Sequence, residues 1–298
     1  MAGLILLCTA AACTSTEPGS PGTATSSQPP ESGPVQSLPP VTSVPSVSAS
    51  VPPLSNAEAW TLGFDGAEGS TPDSRLFYPY QGGNGNGNNE LETYTASPRN
   101  FALDGDGHLV ITARRERATG PDGFTREWTS ARLISLNRWE FTYGTLSARL
   151  KSPVGKGLWS AFWLLGTDLP AVNWPKAGEI DILEAFNDGR NAYHSLHGPT
   201  ESGAAWGLNK VAKRSAASAA AFHEYSVTRR PNSITFSIDG KPVANLTPQS
   251  LKKGQLWVFD KPMFMVLNLA VGGNWPGYPD ESTPDVSHLV VDWIKFTP

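Results

Sequence analysis

Three closely spaced carboxylates have residue types suited to acid–base and nucleophilic chemistry: Glu179, Asp181 and Glu184. Hydrolysis of a glycosidic bond needs two carboxylates that flank it, about 5–5.5 Å apart for retention of the anomeric configuration and about 6.5–9.5 Å apart for inversion. One attacks the anomeric carbon, while the other protonates the leaving oxygen and then activates water. A third acid between them can push their proton affinities apart by like-charge repulsion. The alternative is a half-exposed strand whose acids face solvent.

Residues 178–186 are otherwise apolar, as in a buried β-strand. Because side chains alternate between the two faces of a strand, Glu179 and Asp181 share one face, and Ile180 and Ile182 share the other. A regular strand would turn Glu184 into the apolar core, where an ionised carboxylate is strongly disfavoured. One extra residue, a β-bulge at positions 182–183, would return Glu184 to the face of the other two acids. We therefore predict three acids in one groove, with Ile180 and Ile182 buried.

Short alternating apolar runs separated by turn signals cover the chain from about residue 57 onward. This density of short strands predicts an all-β protein, a sandwich or jelly roll. Asp239-Gly240 is a hairpin signal. The runs that carry this prediction are residues 108–113, 143–150, 224–228, 233–238, 263–268 and 288–296.

The composition fits an extracellular all-β protein better than a helical cytosolic one. The 298 residues are 39% hydrophobic and 17% charged, with ten Trp and a net charge of −4. Nothing is basic enough to indicate nucleic acid binding. We expect a monomer.

The N-terminus has the pattern of a targeting segment. Residues 1–13 form a short apolar stretch that ends at Cys13, as in a bacterial lipoprotein signal, although Ala10 stands where Leu is usual and no Lys or Arg precedes Arg75. The alternative is an ordinary secretory signal with Cys13 incidental. Residues 14–54 are rich in Ser, Thr and Pro and predict a disordered linker. We expect a folded domain at 55–298 that is extracellular or at the cell surface, with a membrane contact only through a lipid on Cys13.

The acid motif and the block before it resemble glycoside hydrolase family 16, and most of all its bacterial laminarinases, which are endo-β-1,3-glucanases. The resemblance rests first on residues 151–166, Trp174-Pro175 and residues 178–184. It extends over about residues 57–298, with further matches at 88–92, Tyr94, 130–132, 195–199, 257–260 and 268–277.

The resemblance implies a β-jelly-roll of two curved antiparallel sheets, with a sugar-binding cleft across the concave face. It also implies a retaining mechanism with Glu179 as nucleophile, Glu184 as general acid/base and Asp181 as the assisting carboxylate between them. The laminarinase-like branch carries the bulge in this strand. No redox or nucleotide cofactor is required, and the partner is a polysaccharide.

Several residues are candidates for substrate binding, namely Asn89, Arg132, Trp159, Trp163, Trp174 and His197. Solvent-facing aromatics can stack on sugar rings, although of these tryptophans Trp163 is the one that we expect in the core instead. His194 and His197 form an H-x-x-H pair, but residues three apart in a strand face opposite sides, which argues against a shared metal. The match of residues 195–199 to the family instead implies a place for His197 in the cleft.

A structural calcium ion is a further expectation. Asp104-Gly-Asp-Gly107 resembles the start of a calcium loop, but Arg115 stands at the twelfth position, which excludes an EF-hand. The resemblance implies a site on the convex side, with a backbone oxygen of Gly107 and the carboxylate of Asp292.

We predict a retaining endo-acting hydrolase of β-1,3-glucan. The alternatives are a β-galactanase, a transglycosylase, and a carbohydrate-binding module on the same fold without turnover.

Overall fold

The computed structural model describes residues 54–215 and 219–298. The predicted targeting segment, residues 1–13, and nearly all of the predicted linker, residues 14–54, lie outside the described residues. No helix in the described part of the chain is long and apolar enough to cross a membrane.

The described residues are almost entirely strands joined by turns. In chain order the strands are β1 Trp60–Gly63, β2 Tyr78–Tyr80, β3 Glu92–Tyr94, β4 Phe101–Leu103, β5 Leu109–Arg114, β6 Ala118–Thr119, β7 Thr125–Arg126, β8 Trp128–Ser130, β9 Arg132–Ile134, β10 Glu140–Phe141, β11 Gly144–Lys151, β12 Gly155–Gly166, β13 Glu179–Asn187, β14 Asn191–Pro199, β15 Ala205–Lys213, β16 His223–Arg230, β17 Ser233–Ile238, β18 Lys241–Leu246, β19 Met263–Val271 and β20 Val286–Thr297. A short helix α1, Leu169–Val172, and a 3-10 turn, Pro248–Ser250, complete the elements.

Two large sheets stack to form the predicted jelly roll. One has the order β18-β17-β16-β11-β20-β5-β8-β3, with β1 added to β20 and β4 added to β5. The other has the order β15-β14-β13-β12-β19-β9-β2, with β10 added to β19. Pairing is antiparallel apart from the parallel pair β3–β8. We call these the outer sheet and the cleft sheet.

Alternation along the strands of the cleft sheet separates the core from the cleft. In β19, Met265, Leu267 and Leu269 pack into the apolar cluster between the two sheets. Asn268 and Ala270, which alternate with them, line the cleft on the other face. The same strand therefore builds both the core and the floor of the cleft.

The predicted hairpin at Asp239-Gly240 is present between β17 and β18. Both residues have positive φ, 50° for Asp239 and 71° for Gly240. Two central residues with positive φ give the backbone twist that suits a tight hairpin, which explains the Asp-Gly pair.

Candidate active site

A β-bulge in β13 sets the directions of the three acids, as predicted. Against β14, Asp181 pairs with Ser195 and Glu184 pairs with Tyr193, so Ile182 and Leu183 together oppose the single residue His194. Against β12, Leu183 pairs with Phe162 and Asp181 with Trp163, which leaves Ile182 as the extra residue.

The alternation of buried and cleft-facing side chains shifts by one residue at the same point. Ile180 and Ile182 lie in the core before the bulge, and Leu183 and Ala185 lie there after it. The extra residue thus keeps apolar side chains in the core on both sides of the irregularity. It returns the Glu184 side chain to the face that carries Glu179 and Asp181.

The three acids line one cleft of about 810 Å³ that crosses the cleft sheet. Its wall and floor come from β9, β12, β13, β14, β15 and β19, and from the loops before β3 and after β19. Ala161 pairs with Glu184 across β12 and β13, and Ala270 pairs with Trp159 across β19 and β12. These small residues keep the floor low beside the acids.

Glu179 is half-buried and is held by an indole. Trp174 Nε1 donates a hydrogen bond to Glu179 Oε2 at 3.0 Å. Burial, followed by the charge of Asp181, raises the pKa of Glu179 to about 8, against the opposing effects of His197, the Trp174 bond and Arg132. The partners that lower the pKa favour the ionised carboxylate, which is the form that a nucleophile needs.

Glu184 is buried, and its partners favour the protonated form. Burial raises its pKa well above the usual range, and the neighbouring charge of Asp181 is the next cause. Its partners that lower the pKa are His197 and Ser195, whose hydroxyl donates to Glu184 Oε2 at 3.4 Å. A carboxyl kept protonated at neutral pH can serve as a general acid.

Asp181 lies between the two glutamates and beside His197. Its Oδ2 is 3.3 Å from His197 Nε2, and polar atoms of Glu179, Asp181 and His197 all lie within 4.8 Å of one another. Burial raises the pKa of Asp181 to about 8, and the hydrogen bond with Glu179 lowers it. Three carboxyls this close cannot all ionise, so they titrate as a coupled group.

Arg132 anchors a polar and aromatic network at the β9 end of the cleft. Its Nη1 donates to Asn86 Oδ1 at 3.1 Å, and its guanidinium lies 5.0 Å from the ring centre of Trp163 and 5.3 Å from that of Tyr94. Trp163 Nε1 donates to Asn268 Oδ1 at 2.8 Å. Trp163 therefore belongs to both the core and the cleft. It packs in the apolar cluster under the cleft and also lines the cleft.

Aromatic rings form the wall beyond Glu184. Phe186 and Tyr193 stack 5.1 Å apart with nearly parallel planes, and Trp275 lies 4.6 and 4.7 Å from them. Trp159 meets Trp275 edge to face at 5.7 Å. Trp159 lines the cleft, and its Nε1 has no hydrogen-bond partner among the described residues. Of these rings, Trp159 and Trp275 line the cleft, where they can offer apolar faces to a sugar.

Two of the candidate binding residues lie outside the lining of the cleft. Asn89 does not line the cleft, because its amide instead donates to Asn274 Oδ1 at 3.0 Å. Trp174 is absent from the lining as well and acts on the cleft through its bond to Glu179. Arg132, Trp159, Trp163 and His197 all line it.

Sequence reasoning missed a set of cleft residues that are mostly amides. Trp275 lies in a segment matched to the family, and Glu90 adjoins Asn89, so both carried a signal. Asn209 carried none, since its place depends on the pairing of β15 with β14, where it opposes Ser195. The missed lining residues are Asn86, Asn88, Glu90, Asn209, Asn268, Asn274 and Trp275.

The H-x-x-H pair is divided between the two faces of β14, as the alternation predicts. His194 is fully buried on the core side, where it stacks on Phe236 of the outer sheet. His197 faces the cleft. The two imidazoles cannot share a metal ion.

The structure gives no support to the predicted calcium site. The carboxylate of Asp292 is paired with the guanidinium of Arg149, so a protein cation already balances its charge. The Asp104 carboxylate accepts hydrogen bonds from Asp106 N at 2.8 Å and His108 N at 3.0 Å, which explains this segment as a turn.

Comparison with known proteins supports the same chemistry. The chain is 32% identical over 254 residues to the beta-glucanase of Rhodothermus marinus, covering 79% of this chain and 83% of that protein. It is 30% identical over 223 residues to glucan endo-1,3-beta-glucosidase A1 of Niallia circulans, covering 70% of this chain but only 32% of that longer protein. The crystal structure of the laminarinase catalytic domain of Thermotoga maritima matches with a TM-score of 0.70 and 36% identity, covering 80% of this chain and 96% of that one.

The pattern that describes glycosyl hydrolases family 16 matches residues 88–295, which include all three acids and most of the strands of both sheets. The chain therefore belongs to glycosyl hydrolase family 16.

Proposed function

We propose that the protein is an endo-acting β-1,3-glucanase that cleaves laminarin-like polysaccharide with retention. The observation that carries the proposal is the bulged strand, which directs Glu179, Asp181 and Glu184 into one cleft. The names of the relatives, a glucan endo-1,3-beta-glucosidase and a laminarinase, supply the linkage. A cleft that crosses six strands supports binding in the middle of a chain.

The reaction we propose is a double displacement. Glu179 attacks the anomeric carbon while the Glu184 carboxyl gives its proton to the departing glycosidic oxygen, and a glycosyl ester forms on Glu179. Glu184, now ionised, takes a proton from water, which attacks the same carbon and releases Glu179. Asp181 lies beside both glutamates, and when its carboxyl is ionised the charge keeps the Glu184 proton in place until transfer. The predicted separation of the Glu179 and Glu184 carboxyls is about 5 Å.

Unpaired donors and acceptors in the cleft support a polar ligand. Trp159 Nε1 and Asn209 Oδ1 have no partner among the described residues, and both side chains line the cleft. Buried polar atoms are costly when unpaired, and sugar hydroxyls can satisfy both kinds.

The test uses the full chain with laminarin, lichenan, galactan and agarose. Release of reducing ends from laminarin, with the β-anomer appearing first by NMR, is the expected result. Glu179→Gln and Glu184→Gln should each abolish this release. Binding of laminarin without new reducing ends would favour the carbohydrate-binding module, cleavage of galactan instead would favour the galactanase, and products longer than the substrate would favour a transglycosylase.

We also propose that residues 1–13 direct the protein out of the cytoplasm, with a lipid on Cys13 and residues 14–54 as a spacer. The support is the apolar stretch before Cys13 and the Ser, Thr and Pro content after it. Labelling with radioactive palmitate in a bacterial host should mark the wild-type chain and leave Cys13→Ala unmarked. Export of both without label would make the segment an ordinary secretory signal.

A further inference from the structure

The residue opposite the bulge of β13 is a fully buried histidine that the proposed reaction does not use. His194 is 0% exposed and lies on the core side of β14. It faces Ile182 and Leu183, the two residues that share one position in the pairing. A bulge leaves one residue of a strand without its regular ladder partner. The groups around His194 therefore determine which hydrogen bonds the backbone of the extra residue in β13 makes.

The imidazole of His194 supplies a partner to the irregular backbone. Its Nδ1 lies 2.7 Å from the carbonyl oxygen of Ile182, the extra residue. A carbonyl only accepts hydrogen bonds, so Nδ1 carries the proton and donates it. A buried carbonyl left without a hydrogen-bond donor destabilises the fold. The His194 side chain thus pairs the carbonyl of Ile182, the residue that has no partner in the pairing of β13 with β12.

The rest of the ring is fixed by packing rather than by polar contacts. His194 stacks on Phe236 of β17 with ring centres 5.4 Å apart, and its Nε2 has no partner among the described residues. Burial lowers the pKa of His194 to about 4, against the opposing effect of the hydrogen bond to Ile182 O and with a smaller contribution from the charge of Arg214. The neutral ring therefore keeps one proton, on Nδ1, across the pH range in which glycosidases work.

The bulge determines the direction of the Glu184 side chain. A residue that stabilises the bulge therefore also determines that direction. Glu184 follows Leu183 directly and pairs with Tyr193, the neighbour of His194. A strand that slipped back to regular pairing would turn every following side chain to the opposite face. Glu184 would then point to the core and Leu183 to the cleft.

We infer that His194 is a positioning residue, which holds the β13 bulge through Ile182 O and thereby aims Glu184 at the glycosidic oxygen. The inference rests on the proposed role of Glu184 as acid/base. His194 touches no substrate and exchanges no proton in the reaction. It lies on the core side of β14, and His197 lies on the opposite side of that strand, in the cleft.

The test compares laminarin with an aryl laminaribioside that has a dinitrophenolate leaving group, which departs without an acid. His194→Leu removes the donor. On laminarin, kcat should fall at least tenfold, with KM within about twofold of wild type. On the aryl substrate, formation of the glycosyl-enzyme, followed as the burst of dinitrophenolate, should stay within about threefold. Azide should restore turnover of the aryl substrate and leave a β-glycosyl azide, because it attacks without a general base.

Two further variants distinguish a change in the direction of Glu184 from a general loss of stability. His194→Asn keeps a donor where Nδ1 stands and should recover most of the laminarin activity. Phe236→Leu loosens the same part of the core without touching the hydrogen bond. Its activity on both substrates should fall by about the same factor, and azide should restore none of it.

Equal losses on both substrates in His194→Leu with no azide rescue, or unchanged activity on both, would overturn the inference. If His194→Leu does not fold, an inactive His194→Asn without azide rescue would overturn it equally. The proposed function is judged separately by wild-type activity on laminarin and by azide rescue of Glu184→Ala.

Discussion

Each acid of the triplet has a different set of partners, and these partners divide the chemistry between Glu179 and Glu184. Glu179 accepts an indole N–H, while Glu184 is buried beside the charge of Asp181. Residue types alone predicted that two glutamates and an aspartate would cooperate. The partners could not be predicted, because Trp174 reaches Glu179 through the turn before β13 and no periodicity describes that turn.

The indole of Trp174 should control the acid limb of the pH profile. Its hydrogen bond stabilises ionised Glu179 and so opposes the effect of burial, which is the main cause that raises the pKa of Glu179 to about 8. In Trp174→Phe the pKa should rise by ~1 unit, since a hydrogen bond to a charged group contributes about 1.5–3 kcal/mol and one unit is about 1.4 kcal/mol. Glu179 must be ionised to attack, so the acid limb of kcat/KM should move to higher pH.

Trp257→Phe is the matched control. Its indole also donates to a carboxylate, Asp260 Oδ2 at 2.9 Å, but Asp260 is exposed and lies outside the cleft lining. The control should leave the profile of kcat/KM unchanged. An acid limb that stays in place in Trp174→Phe would show that the indole does not tune Glu179.

At the scale of elements, prediction succeeded where alternation and burial decide the outcome. The run at residues 233–238 coincides with β17, and the bulge followed from the impossibility of a bare carboxylate in the core. The direction of the Asn89 side chain could not be predicted, because direction in the loop before β3 depends on positive φ at Asn86 and Asn89 rather than on alternation. Asn209 was missed because its place requires the register of β15 on β14.

The β14–β15 pairing sets the position of His197 and provides an element-scale prediction. Gly207 opposes His197, and a Cβ there would lie 3.0 Å from the Cε1 and Nδ1 of its ring. Gly207→Ala should therefore push the imidazole from Asp181, now 3.3 Å away. We expect kcat on laminarin to fall several-fold with a small change in melting temperature.

Gly63→Ala serves as the control, since its added Cβ would have one neighbour, Asp65 Oδ2 at 4.0 Å. Both glycines lie in strands, so the two changes have similar backbone costs. Unaltered activity of Gly207→Ala would mean that the ring has room to move without consequence for Asp181.

At the scale of the whole molecule, one buried arginine ties the two sheets together. Arg229 is in β16 of the outer sheet and is 1% exposed. It donates to Phe141 O at 2.6 Å, Phe259 O at 2.5 Å and Lys261 O at 2.7 Å, which belong to β10 and to the segment entering β19 of the cleft sheet. Burial lowers the pKa of Arg229 to about 10, so it stays charged at neutral pH.

Arg229→Met should destabilise the protein by ~3 kcal/mol or more, because three buried carbonyls lose their donor at about 1–3 kcal/mol each. Arg229→Lys should restore little of the loss, because an ammonium group lacks the planar fork that reaches separate carbonyls. Denaturant unfolding measures both. Activity per folded molecule should be near wild type at low temperature, since Arg229 does not line the cleft. A loss below 1 kcal/mol in Arg229→Met would show that the tie does not matter.

The jelly roll brings together residues from distant parts of the chain. In the reaction we propose, its bulged strand gives Glu179 and Glu184 different roles, nucleophile and acid/base. The most direct test is the anomeric configuration of glycosyl azides, read by proton NMR, from the activated aryl laminaribioside. Glu184→Ala should give the β-azide, because azide attacks the glycosyl-enzyme that Glu179 still forms. Glu179→Ala should give the α-azide, because azide replaces the nucleophile. Reversed configurations, or no rescue of Glu184→Ala, would contradict the account.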